Sequence, residues 1–140
     1  MPRGVGLQSF FVVTDTTGVN VTDQIAWRVE LSVKPDQVGN LLALTDEMVE
    51  SASAEEGCLS FQRFISPDGK SVHVYERYLN SGTALAHLTI FFRRFGTRYA
   101  SMVDRKSFTV FGAPSSELRK MLDQFSPQYL RPFGNFEYWA

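Results

Sequence analysis

The sequence predicts an α+β domain of order β-α-β-β-α-β, and three observations carry that prediction. The run IAWRVELSV at 25–33 alternates with a period of two. Two later stretches place apolar residues at helical spacing. Between those stretches, two β-rich runs flank an Asp-Gly turn.

In the first strand Ile25, Trp27, Val29, Leu31 and Val33 alternate with Ala26, Arg28, Glu30 and Ser32. Pro35 suits the first turn of a helix, and Val38, Leu41, Leu42, Met48, Val49 and Ala52 form its apolar stripe until Gly57 stops the run. CLSFQRFI and SVHVYERY flank Ser66-Pro67-Asp68-Gly69-Lys70 and should pair as a hairpin. After Asn80 or Ser81 as cap, Leu85, Leu88, Phe91, Phe92, Phe95, Tyr99 and Met102 trace a second helix. SFTVFG supplies a fourth strand, PSSELRKMLDQF a short third helix, and SPQYLRPFGNFEYWA an irregular aromatic tail pinned to a groove. The split order gives a ferredoxin-like, four-stranded antiparallel sheet with both long helices on one face.

The other sheet face then needs a cover. Both faces of IAWRVELSV and SVHVYERY carry large groups, so a second copy packed sheet to sheet is expected, a homodimer with His73, Tyr75 and Arg77 facing the partner. With 140 residues and 44% hydrophobic content, the chain is expected to hold one globular domain, and the β-α-β-β-α-β pattern places it at 25–112. Residues 1–24 read as an N-terminal appendage, in which QSFFVVT could be an added strand, and 113–140 as the C-terminal helix and tail. A net charge of −1, from 14 basic and 15 acidic residues, gives no reason to expect nucleic acid or an anionic membrane as partner. The lone Cys58 suits a reducing compartment, and the apolar run Phe10 to Val13 is too short for a signal-peptide core, so a cytoplasmic location is expected.

The run EEGCLSFQRFISPDGKSVHVYERYLNSGTALAHL resembles the antibiotic biosynthesis monooxygenase domain, including the quinol monooxygenases grouped with it. The likeness covers roughly 25–112, and its telling pieces are Gly57-Cys58-Leu59, Glu76-Arg77-Tyr78 and Ala86-His87-Leu88. The resemblance implies a dimeric α+β barrel with a pocket between sheet and helices. For the family's enzymes it implies oxygenation of quinols, phenols or anthrones by molecular oxygen without metal, flavin or haem. Haem-degrading relatives carry an Asn on the first strand and a haem-ligating His near the position of Thr97, and this chain has no Asn between Ile25 and Val33. Aromatic-polyketide oxygenases of the family use a Trp at the position of Tyr78 and an Asn near Val74, and Arg98 stands close to an arginine they use.

A cofactor-free oxygenase needs a base to form a phenolate or carbanion, and a dry pocket to protect it. His87 is the candidate base, and Glu76, in line with Val72, Val74 and Tyr78, is the candidate partner that orients it. The competing interpretation is a structural hydrogen bond between helix and strand, since a buried carboxylate needs a partner in any case. Tyr78, Arg98, Val74, Val29 and Phe91 are the candidate substrate contacts. Each has a plainer role, Arg98 on a solvated face and the others in the core. No dinucleotide glycine motif, cysteine cluster or paired histidine points to a cofactor or metal. Two functions stay open: a cofactor-free monooxygenase of small electron-rich aromatics, or a non-catalytic barrel that binds a small aromatic ligand or serves a stress response.

Overall fold

A computed structural model describes residues 23–136. The expected appendage strand QSFFVVT and the last four residues of the tail lie outside the described residues. The order is β1 (Ile25–Val33), α1 (Val38–Ser53), β2 (Cys58–Ile65), β3 (Ser71–Tyr78), α2 (Ser81–Arg94), α3 (Gly96–Ala100), β4 (Val103–Phe111), α4 (Ser116–Leu122) and β5 (Gln128–Leu130). The sheet runs β2-β3-β1-β4-β5 and is open, in a ferredoxin-like α+β fold. The strands pair antiparallel except β4 and β5, which run parallel.

Alternation in β1 and β3 sorts their side chains as their pattern predicts. Ile25, Trp27 and Leu31, with Val72, Val74, Glu76 and Tyr78, are buried under the helices, while His73 is exposed on the outer face. The hairpin closes through Gly69, at φ 73°, whose N–H donates to Ser66 O at 2.9 Å. Asn80 caps α2 through a reciprocal pair, its side chain accepting from Thr83 N–H at 2.9 Å while Thr83 Oγ1 accepts from Asn80 N–H at 3.2 Å.

Four features differ from the sequence expectation. First, the tail is not wholly irregular: Gln128–Leu130 adds a fifth strand, because Gly112 N–H donates to Leu130 O and draws the chain alongside β4. Second, the second helix is not continuous to Met102. It stops at Arg94, Phe95 turns into the core at φ −125°, and α3 restarts at Gly96, a residue that disfavours helix interiors. Third, the buried face of α1 is Leu41, Leu44, Met48 and Ala52, whereas Val38, Leu42 and Val49 are exposed. Pro35 precedes that helix in a turn in which Asp36 takes φ 65°. Fourth, the last strand of the expected set begins at Val103, four residues before SFTVFG.

The apolar core falls into three groups. Ile25, Trp27, Tyr78, Leu88, Val110, Leu118 and Leu122 pack at one end. Leu31, Leu41, Val72, Val74 and Val103 pack at the other, and Leu44, Met48 and Phe95 join α1 to the helix break. Between them the centre of the sheet faces α2 and α3 across open space.

Gly57 ties the end of α1 to the start of α2. It sits at φ 87°, and a Cβ there would lie 2.3 Å from Cγ2 of Thr83, the capping residue. Gly57→Ala should therefore destabilise the protein by about 2 kcal/mol, combining left-handed strain with a displaced cap. Gly39→Ala, in α1 with nothing within 4 Å of the new Cβ, should instead stabilise by about 0.5 kcal/mol. Urea unfolding midpoints of the two variants against the parent check both signs.

Candidate active site

The site grows from three neighbouring strands. In the sheet register Glu76 stands opposite Trp27 of β1 and Phe61 of β2, and Val74 stands opposite Val29 and Arg63. Strand alternation points all six toward the helices. Arg63 is the diagonal neighbour of Glu76 and is long enough to reach it. From above, α2 lowers His87 into the space over Glu76, and the turn after α1 brings Glu55 to the far side of the imidazole.

Glu76 is buried at 4% exposure and accepts hydrogen bonds on both oxygens. Oε1 accepts from Trp27 Nε1 at 2.8 Å and from the Tyr78 hydroxyl at 2.9 Å, and Oε2 accepts from Arg63 Nη2 at 2.6 Å. Burial pushes its carboxyl up, but Arg63, His87 and the hydrogen bonds from Tyr78 and Arg63 outweigh it and hold the group below the usual carboxylate range. Glu76 is thus an anion at neutral pH. The same surroundings act oppositely on Tyr78: burial and the Glu76 charge drive its hydroxyl far above the ordinary tyrosine value, so it remains a donor.

His87, also buried, lies between two carboxylates. Nδ1 meets Glu55 Oε1 at 2.9 Å, and Nε2 stands 3.6 Å from Glu76 Oε1. A carboxylate only accepts, so Nδ1 carries the hydrogen given to Glu55, and Nε2 is the nitrogen left to exchange a proton. The rings of Tyr78, Phe61 and Phe91 surround the imidazole, with centroids at 5.0, 5.6 and 6.4 Å.

These groups form one wall of a cavity of about 700 Å³, a volume suited to a small organic ligand. Glu76, His87, Val74, Val29 and Phe91 of the sequence-derived set all line it, with Trp27, Arg63, Tyr99 and Phe108. Gly96, Thr97 and Ala100, small residues of α3, leave room on the helix side. Burial raises the Tyr99 hydroxyl to about 12, with Arg63 opposing and Glu76 adding, so the helix side of the cavity offers a protonated phenol. Two members of the sequence-derived set stand elsewhere. Tyr78, fully buried, lies behind Glu76 and holds it from beneath. Arg98 lies outside the cavity lining, half exposed and 3.3 Å from Glu47 on α1.

Trp27, Glu55 and Arg63 are absent from the sequence-derived set. A visible signal existed for Arg63, a charged residue on the same face of β2 as Phe61, but the irregular pairing between Cys58 and Ser60 obscures which face is inward. Glu55 lies in a turn, where no periodicity marks direction. Among the described residues, no group of three or more His, Cys, Asp or Glu side chains is placed to hold a metal ion. No described helix is long and apolar enough to cross a membrane.

The fold is an α+β domain of the ferredoxin-like class with a cavity between its sheet and helices. Residues 25–89 match the family described as antibiotic biosynthesis monooxygenase. It is similar to "Putative monooxygenase Rv0793" of Mycobacterium tuberculosis, 34% identical over 58 residues, which are 41% of this chain and 57% of that protein. In structure it is similar to MupZ from Pseudomonas fluorescens, with a TM-score of 0.74 and 19% identity over 83% of this chain and 90% of that one. It is also similar to SnoaB, a cofactor-independent oxygenase from Streptomyces nogalater, with a TM-score of 0.57 and 10% identity over 67% of this chain and 96% of that one.

The buried ion cluster gives stability a defined pH dependence. The folded Glu76 carboxyl lies below the ordinary 4.5, so its contribution is fully present above that value and is lost as pH falls through the lower folded value. Arg63→Met removes the strongest influence opposing burial, so its acid unfolding should begin at higher pH than the parent's. At neutral pH, Glu76→Gln should cost about 3 kcal/mol, since it strands a buried guanidinium. Denaturant midpoints measured from neutral pH downward test both.

Proposed function

We propose that this protein is a cofactor-independent monooxygenase of small electron-rich aromatics of the quinol, phenol or anthrone type. The observation that carries the reading is the placement of His87. Its Nδ1 is engaged by Glu55, its Nε2 is left to exchange a proton, and the ring lies on the wall of an aromatic-lined cavity. That is a base with a fixed tautomer beside an aromatic-lined cavity. The family of residues 25–89 supports the same class of chemistry.

In this reading Nε2 of His87 accepts the proton of the substrate hydroxyl or activated C–H, and Glu55 steadies the imidazolium. The electron-rich anion then reduces molecular oxygen. For an anthrone-type methylene the balance is two hydrogens lost and one oxygen gained, with the second oxygen atom released as water. All four electrons come from the substrate, so the protein supplies proton transfer, placement and exclusion of water. Glu76 keeps a negative charge beneath the site and fixes Trp27 and Arg63 in the cavity wall.

The reading includes a homodimer formed through the outer sheet face. His73 and the exposed Phe64 lie there, with Tyr75 and Arg77 beside them, and a second sheet would cover Phe64. A monomer in light scattering at micromolar concentration contradicts the dimer.

Oxygen uptake with a panel of quinols, anthrones and phenols in metal-free buffer tests the activity. The parent should consume one oxygen molecule per substrate oxidised. His87→Ala should lower kcat by about a hundredfold or more, and Glu55→Gln by about tenfold with KM little changed. If both variants match the parent on a confirmed substrate, His87 is structural and the catalytic assignment fails.

A further inference from the structure

Arg63 holds donors that the cluster around Glu76 does not use. Nη2 donates to Glu76, whereas Nε and Nη1 are buried and meet no acceptor among the described residues. Buried donors ordinarily find partners, so two on one guanidinium mark a place where an acceptor gains most. The group is also fixed. Its central carbon lies 3.5 Å from the centroid of the Phe61 ring, and Glu76 ties one end. The side chain lines the same cavity as His87.

We propose that Arg63 is the oxyanion site of this cavity, receiving the substrate's phenol, enol or carbonyl oxygen as that oxygen becomes anionic. The substrate class is thereby narrowed to compounds whose reacting carbon is conjugated to an acidic hydroxyl or a carbonyl. Plain hydrocarbons and aromatic amines lack the oxygen that satisfies the guanidinium. The proposal rests on the oxygenase reading for the reaction that follows binding. In the step itself, the proton goes from the substrate hydroxyl or C–H to Nε2 of His87. The electron pair left behind delocalises onto the oxygen held by Arg63, and no bond to the protein forms.

The charged and titratable groups around this place are Glu76 from β3, His87 from α2, Tyr99 from α3, and Asp104 and Arg105 from β4 in the cavity lining, with Cys58 of β2 and Tyr78 of β3 also within the reach of Arg63's charge. Glu76 already accepts on both oxygens, so it does not draw on the two spare nitrogens. Tyr99 is a protonated phenol and adds no charge.

The test uses para-nitrophenol, whose phenol and phenolate forms absorb differently, titrated optically with the full-length protein in excess and then free in buffer. Bound to the parent it should titrate at least about one pH unit lower than free, a tenfold or greater preference for the phenolate. Arg63→Met should abolish that shift. Arg63→Lys, which keeps a charge but not the planar array of donors, should retain a smaller one. If Arg63→Met does not fold, the parent's shift and the reduced shift of Arg63→Lys decide the matter. The proposal is overturned if the parent prefers the phenol, binds both forms alike or binds neither, or if a folded Arg63 variant keeps the full shift. A clear phenolate preference without oxygen uptake on any phenolic substrate would sink the oxygenase reading and leave the oxyanion site standing. Oxygen uptake with no phenolate preference would do the reverse.

Discussion

A carboxylate held at the centre of the sheet organises everything above it. Glu76 is almost fully buried, and left alone it would be driven to its neutral form or would destabilise the fold. It stays charged because Trp27, Tyr78 and Arg63 converge on it from β1, β3 and β2, with the His87 ring nitrogen 3.6 Å away. The same contacts orient the indole, the guanidinium and the imidazole that form the cavity wall. Replacing any one partner therefore alters both the charge balance and the shape of the site.

The helix break is the second constraint. A continuous second helix would carry a long apolar stripe across the sheet and fill the space that Glu76 faces. Phe95 instead turns down onto Leu44 and Met48, and α3 crosses the opening with Gly96, Thr97 and Ala100. The result is a cavity lined mainly by aromatic and aliphatic groups, with Arg63, Glu76 and His87 on one wall and Asp104 and Arg105 contributed by β4.

Much of this was legible in the sequence, for reasons that particular residues show. Period-two alternation in 25–33 and 71–78 sorts Glu76 and Val74 onto one face and His73 and Arg77 onto the other, and the family likeness indicated that the Glu76 face meets the helices. The Asp-Gly turn and the Asn80 cap use local chemistry, and both ends formed as their residues dictate. What was hidden depends on long-range pairing. Gln128–Leu130 has no alternation long enough to mark a strand, and it exists because β4 offers a free edge. Leu42 and Leu44 are the same residue type, and only the packing of α1 on the sheet decides that Leu44 is inside. Arg98 appeared, by family likeness, to be a substrate contact, but the altered helix phase after Gly96 takes it toward Glu47. Glu55 and Arg63 reach the site from a turn and from an irregular strand, where sequence spacing does not fix direction.

The central claim is that Glu76 is a buried anion at neutral pH, stabilised by its three donors against the pull of burial. Isotope-edited carbon NMR of the glutamate side-chain carboxyls, assigned by comparison with Glu76→Gln, measures this directly. The account predicts a Glu76 carboxyl signal that stays in its ionised position as pH falls through the ordinary 4.5, with protonation only below it. A Glu76 signal that titrates above that value, as burial without effective partners would produce, contradicts the account.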